Sequence, residues 1–333
     1  MNQITDFGAV SRVSVTVLVD NRADMIVRST DDVVYFTDKP LLAEHGFAAL
    51  VDLEDVGIRI LWDAGGTRVT LMENVRRMEV DLGTVETIVL SHGHWDHIGA
   101  IAEVLETMAR RPGPQEWPPD TSPEEAEAWV KAQRVPIVLH PAALRERWNI
   151  GKDGKRFGPV APPATGIWEA LGAEIVCSEG PYRLGRGCWT TGYVPRRSFE
   201  HSGRSTRAYY RDGDELVRDD TEDDQALVLN VEGKGLVVVA GCAHSGIVNT
   251  VRYAQEITGV ERIHAVLGGF HLARAEDDEL DQTIAAFKDW APALISPSHC
   301  TGFGPICRFA AEMPDVFVPG VVGVTYRFWE IQG

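Results

Sequence analysis

A chain of 333 residues with 44% hydrophobic and 24% charged residues has the make-up of a globular protein with a sizeable core. Its 49 acidic residues against 32 basic ones leave a formal net charge of -17, which repels phosphate backbones and argues against a nucleic-acid partner. No apolar run approaches the roughly 20 residues of a membrane span, no basic-then-apolar leader opens the chain, and the five cysteines follow no paired spacing. The expectation is a soluble, cytoplasmic protein with neither a disulfide framework nor a membrane partner.

In chain order, residues 13–19 alternate well enough for a strand, and residues 47–53 and 58–62 read as two more around a hairpin-like turn at 54–57. Asp63-Ala64-Gly65-Gly66 breaks the chain, and the β-branched run at 85–90 reads as a buried strand. Residues 110–124 hold five prolines and Gly113, so no regular element is expected there; 124–134 suits a short helix and 136–139 a strand. This stretch, about 110–135, reads as an insertion forming a surface flap within a single domain spanning 1–333. Residues 151–166 read as a Gly/Pro-rich connection and 198–224 as charged and irregular. Residues 226–231 and 236–240 form a hairpin. Three strand-and-loop units then recur, each ending in a histidine and followed by a helix-compatible stretch: 237–240 into His244, 263–267 into His271, and 293–296 into His299. Hairpins in the first half and strand–helix alternation in the second predict an α/β fold, two sheets face to face with helices outside.

The densest chemistry lies at Ser91-His92-Gly93-His94-Trp95-Asp96-His97, in the turn after the 85–90 strand. Imidazole nitrogen and carboxylate oxygen are preferred ligands of zinc and similar ions. Side chains two apart on an extended segment point the same way, so His92 and His94 can grip one ion while Asp96 and His97 reach a second. His244 and His299, just past strand ends where loops converge, are further candidate ligands. His271 reads as a ligand or as a hydrogen-bonding neighbour. Cys242 reads either as a thiolate ligand or as a small buried apolar residue. Cys300, next to His299, is read as facing away, and Cys177, Cys188 and Cys307 as core. Asp63, at a strand end, is either a plain turn residue or the carboxylate that a metal-bound imidazole needs on its other nitrogen. His140 is a candidate for lining the pocket. Arg196 and Arg197 are candidates for holding a substrate phosphate or carboxylate, or else a solvated pair.

The pattern His92-x-His94-x-Asp96-His97, with Asp63 upstream and histidines after later strands, resembles the metallo-β-lactamase superfamily. Asp20-Asn21, Glu44-His45-Gly46, Asp223-Asp224-Gln225, Gly241-Cys242-Ala243-His244, Gly268-Gly269-Phe270-His271 and His299-Cys300-Thr301-Gly302 resemble one branch of it, the dihydropterin-6-methyl-ribofuranosylaminobenzene-phosphate synthases. The resemblance implies a four-layer αββα sandwich with metals at one edge. It also matches Asp63 to a motif aspartate and Cys242 to a position where many relatives carry a bridging aspartate. Tyr193 stands where that branch usually has an acidic residue.

The implied activity is that of a metal-dependent hydrolase, a metal-bound hydroxide attacking a small anionic ester, phosphodiester or ring, with a pterin-phosphate relation. Zinc, as one or two ions, is the expected cofactor, with Mn2+ or Fe2+ as substitutes; bound zinc brings the pKa of water to roughly 7. His92, His94 and His244 are assigned to one ion, and Asp96, His97 and His299 to the other. Asp96 is also the candidate catalytic residue, orienting or deprotonating water if only one ion is bound. The partner is a small anionic substrate, and assembly of identical copies is left open. The competing classes are a metal-binding sensor without turnover and a di-iron redox protein of the same fold.

Overall fold

The computed structural model describes residues 4–108, 116–201, 203 and 207–329. An eight-stranded sheet runs, edge to edge, through Val33–Tyr35, Val324–Phe328, Val13–Val19, Ala48–Leu53, Ile58–Trp62, Thr87–Val89, Val135–Leu139 and Ala173–Cys177. A six-stranded sheet faces it, ordered Tyr182–Gly185, Cys188–Thr190, Ala226–Val231, Gly235–Ala240, Ile263–Gly269 and Leu294–Ser298. Between them Val15, Val51 and Trp62 share one apolar cluster with Leu227, Val237 and Leu267. Each such side chain taken from water contributes on the order of 1.5–3 kcal/mol.

Because the strands are buried on both faces, each sheet also carries an outer apolar layer. Leu71 of the helix Arg68–Met78 and Val104 of the helix Ile101–Met108 cluster with Leu61 and Ile88. On the other side Ile247, Phe287 and Phe309, from the helices Ile247–Thr258, Asp277–Trp290 and Phe303–Glu312, cluster with Val238 and Val266. The result is the expected αββα sandwich. No helix among the described residues is long and apolar enough to cross a membrane, and all five cysteines are free thiols.

The two segments expected to be irregular are not. Residues 151–166 contain the strand Arg156–Val160, and 198–224 contain Ala208–Asp212 and Glu215–Arg218. With Arg147–Ile150 they make a third, four-stranded antiparallel sheet. Arg156–Val160 is exposed along its whole length and the other two are at best half-buried. Strands wetted on both faces carry no period-two apolar signal, which is why they read as loops.

The proline-rich stretch is described only from residue 116 onward; 110–115 lie outside the described residues. Beyond it a helix forms over Pro123–Ala132, begun by a reciprocal cap between Ser122 and Glu125 with Pro123 in the first turn.

Candidate metal centre

In the first sheet Ile58–Trp62, Thr87–Val89 and Val135–Leu139 run parallel, with Trp62 level with Val89 and Val89 level with Val138. In the second, Gly235–Ala240, Ile263–Gly269 and Leu294–Ser298 do the same, with Ala240 level with Gly268 and Gly269 with Ser298. The carboxyl ends of these strands release Asp63, the His92–His97 turn, Cys242, His244, His271 and His299 at one edge. Four of the residues there, Asp63, Ala243, His271 and His299, hold positive φ angles of 60°, 56°, 49° and 46°. Such backbone costs on the order of 1–3 kcal/mol per residue and persists where the surroundings enforce it.

The imidazoles are oriented by bonds on their far nitrogens. His97 Nδ1 donates to Asp63 Oδ2 at 2.7 Å, and the same carboxylate accepts from Ser91 N and Ser91 Oγ, each at 2.7 Å. Gly241 is required at this junction, since a Cβ there would stand 2.1 Å from Ser91 Oγ. His244 Nδ1 donates to the Gly203 carbonyl at 3.0 Å, and His299 Nδ1 to Asn21 Oδ1 at 3.0 Å. These bonds turn Nε2 of His244 and His299 toward the site as the free lone pair. Nε2 of both His244 and His299 is buried with no hydrogen-bond partner, and His92 Nε2 converges on His94 Nδ1 at 2.9 Å.

Two sets of donor atoms gather around one thiol, the atoms of each within 4.8 Å of one another: His92, Cys242 and His244 in one, Asp96, His97, Cys242 and His299 in the other. His94 joins the first through its contact with His92, its ring centroid lying 4.9 Å from that of His244. In the second set Asp96 Oδ2 lies 3.5 Å from His299 Nε2 and 3.7 Å from His97 Nε2. Cys242 belongs to both sets, at the centre of the site.

Burial pushes the His92 and His244 imidazoles well below their ordinary range and His94 to about 4, which keeps all three neutral with lone pairs available. For His97 burial acts in the same direction, but the Asp63 and Asp96 carboxylates outweigh it and raise the ring to about 9. Burial would raise Asp96; His97, His299 and His94 outweigh it and hold the carboxyl below the usual range. Neutral imidazoles, an anionic carboxylate, a thiol and partnerless buried nitrogens are a donor set that fits a divalent transition metal.

The ligand turn is held from outside by a buried ion-pair network. Arg147 Nε donates to Asp219 Oδ2 at 2.7 Å and its Nη2 to Asp223 Oδ1 at 2.6 Å, while Asp223 Oδ2 accepts from Gly93 N at 2.7 Å. Arg147 holds Asp223 below the usual carboxylate range against the opposing effect of burial. Since Arg147 opens the third sheet, the same guanidinium fastens that sheet over the metal turn. Beside it lies a cavity of about 600 Å³ lined by His94, Asp96, Cys242 and His244 together with Arg274, Trp95 and Trp148.

Three substrate assignments from sequence are displaced. Arg197 pairs with Glu256 at 2.7 Å on an outer helix, and neither it nor Arg196 lines the cavity. Arg196 instead donates to the backbone carbonyls of Asp220 and His244. His140 lines a separate cavity with Tyr193 and Glu179, where its Nδ1 accepts from Ala142 N at 3.2 Å. Arg145 borders both cavities. Trp148, Asn149, Val160 and Ala208 of the third sheet line the first cavity, and residues 116–135 line neither. Sequence reasoning gave no role to Asn21, His45, Arg145, Arg147 or Arg274. Asn21, His45 and Asp223 did sit in motifs of the resembled branch; the arginines carried no signal.

The profile of the metallo-beta-lactamase superfamily matches residues 43–110, a span that contains the His92–His97 turn. Over 284 residues the chain is 28% identical to the 7,8-dihydropterin-6-methyl-4-(beta-D-ribofuranosyl)-aminobenzene-5'-phosphate synthase of Methanocaldococcus jannaschii, covering 84% of this chain and 88% of that protein. It is 30% identical over 305 residues to an uncharacterized protein of the same organism, covering 90% and 98%. The chain belongs to the metallo-β-lactamase superfamily. The fold agrees: a crystal structure of a metal-dependent hydrolase of the beta-lactamase superfamily superposes with a TM-score of 0.69 at 23% identity, covering 96% of this chain and all of that one. The metallo-beta-lactamase fold protein YhfI from Bacillus subtilis gives 0.51 at 10% identity, covering 95% and 99%. In this superfamily member the edge that carries the candidate metal ligands is the edge where the parallel strands of both sheets end.

Proposed function

We propose that this superfamily member is a metal-dependent hydrolase of a small anionic ester, phosphodiester or ring substrate. The observation that carries the reading is the pair of donor sets meeting at Cys242 in the lining of a cavity that also combines guanidinium groups with indole rings. Divalent ions held by His92, His94, His244, Asp96, His97 and His299 would lower the pKa of water and polarise the oxygen under attack. The thiol and imidazoles favour zinc, with Mn2+ or Fe2+ able to replace it.

The protein's own groups supply the remainder. Asp96 is held ionised, the state in which it can ligate an ion or, where one ion is bound, orient the attacking water. Asp63 and Ser91 fix His97, and Asn21 fixes His299, so the donors need no rearrangement when substrate arrives. Arg274 is exposed at the cavity and is placed to bind an anionic group. Trp95 and Trp148 offer faces for a flat ring. The synthase relative is named for a pterin, an aminobenzene and a 5'-phosphate; arginines beside tryptophans suit a ligand of that chemistry. A soluble cytoplasmic protein acting on a small molecule, with no nucleic-acid partner, completes the reading. It is tested by loading purified protein with zinc and screening phosphodiesters, lactones and cyclic phosphates with and without a chelator. Chelator-sensitive release of product supports it; no turnover of any class by fully loaded protein overturns it.

A further inference from the structure

Beyond the two donor sets of the hydrolase centre, a third group of metal-binding side chains stands at the same edge. The donor atoms of Cys242, His271 and Cys300 all lie within 4.8 Å of one another. Cys300 Sγ lies within this distance of both Cys242 and His271, and Cys300 lines the cavity, so its side chain faces the site and not the core, contrary to the alternation read from sequence. Its Sγ also stands 3.5 Å from the Cys242 carbonyl. The His271 ring packs on His244 at 4.1 Å between centroids, which makes this group contiguous with the first donor set.

Two backbone features build it. His271 holds φ 49°, which turns it out of the strand Ile263–Gly269 after only one intervening residue. At Gly269 a Cβ would come within 2.3 Å of the Gly241 carbonyl oxygen, 2.7 Å of Cys300 Sγ and 3.2 Å of Cys242 Cα, so glycine lets the Cys300 sulfur approach the backbone at Cys242. Two sulfurs and one imidazole form a softer donor set than the histidine-and-aspartate sets beside it, and thiolates select thiophilic ions.

We propose that Cys242, His271 and Cys300 form a thiolate-rich metal site that binds a thiophilic divalent ion, Zn2+ or Cd2+. The site shares Cys242 with the hydrolase centre and adds His271 and Cys300, which belong to neither of that centre's two donor sets. An ion held there would draw Cys242 toward Cys300 and so compete with the two neighbouring sets for the common sulfur.

The probe is Cd2+, titrated into metal-free full-length protein while the ultraviolet thiolate-to-cadmium absorption is followed. Wild type is expected to show a band reporting two thiolates on one ion. Cys300→Ser should cut its amplitude to about half. His271→Ala should keep both sulfurs yet weaken the binding phase at least about tenfold, the loss that even outer hydrogen-bond partners of a ligand produce. His92→Ala with His94→Ala should spare the two-thiolate band while abolishing hydrolysis, which separates this site from the proposed activity. Near-ultraviolet circular dichroism establishes that each variant is folded, and His271→Asn serves if His271→Ala is not. Wild-type amplitude and midpoint in Cys300→Ser would overturn the proposal and leave the hydrolase reading standing. A two-thiolate band in a protein that hydrolyses nothing would do the reverse.

Discussion

Cys242 Sγ lies 3.2 Å from His97 Nε2, while the other nitrogen of the same ring donates to Asp63 Oδ2 at 2.7 Å. One buried imidazole thus ties the carboxyl end of a strand in the first sheet to the loop after a strand in the second. The thiol it meets is the atom around which every donor set of the site is arranged.

Metal content should follow the His92–His97 turn. His92→Ala with His94→Ala is expected to remove most of the bound ion, because it takes away two converging lone pairs that nothing else replaces. Elemental analysis of the purified variant checks this; unchanged content would break the ligand assignment.

Substitutions at Cys242 should act on both donor sets at once. Cobalt-loaded wild type is expected to show a thiolate charge-transfer band that Cys242→Ser abolishes, with metal affinity falling at least about tenfold. Cys242→Asp restores an anionic donor and should recover affinity without the band. A full cobalt complement with an unaltered spectrum in Cys242→Ser would show the sulfur to be a bystander.

The Asp63–His97 pair should set a pH dependence in metal-free protein. His97 stands at about 9 in the fold against an ordinary 6.5. Its contribution to stability is therefore complete below pH 6.5 and lost as pH rises through about 9. Thermal melts in chelator should show Tm falling across that window. Asp63→Asn should flatten the slope and cost about 3–5 kcal/mol at pH 6 by leaving a buried charge unpaired. Because metal must displace the same proton, affinity should climb over the same interval.

Arg147 should matter to the fold before it matters to substrate. Arg147→Met leaves Asp219 and Asp223 buried without a counter-charge, an expected loss of about 3–5 kcal/mol by urea denaturation. Arg147→Lys should not rescue it, since an ammonium cannot serve both carboxylates with the planar fork.

Substrate affinity should respond to the cavity walls and not to the arginine pair read from sequence. Arg274→Ala is expected to raise KM for an anionic substrate by about tenfold with metal content intact, a charge-assisted hydrogen bond being worth roughly 1.5–3 kcal/mol. Arg197→Ala, which breaks an exposed pair with Glu256, should leave KM where it is. The opposite ranking would place the anion outside the cavity described here.

The sequence by itself determined what depends on neighbours along the chain. The histidine turn, the glycine breaks, the buried strands and the helix after the proline stretch are all written in spacing and periodicity over a few residues. Asp63 was legible as a strand-end carboxylate, and the αββα layering as a change from hairpins to alternation. The tertiary structure alone decided what depends on pairs far apart. Asn21 orients His299 across 278 positions, Arg147 reaches Asp223 across 76, and Cys242 meets His97 across 145. No local pattern encodes such pairs, because each is made where two strand ends come together only after the sheets have packed. For the same reason the third sheet reads as loops in the sequence: strands wetted on both faces leave no apolar alternation to read, and a guanidinium's destination is set by the carboxylate it finds in the folded protein, not by its neighbours in sequence.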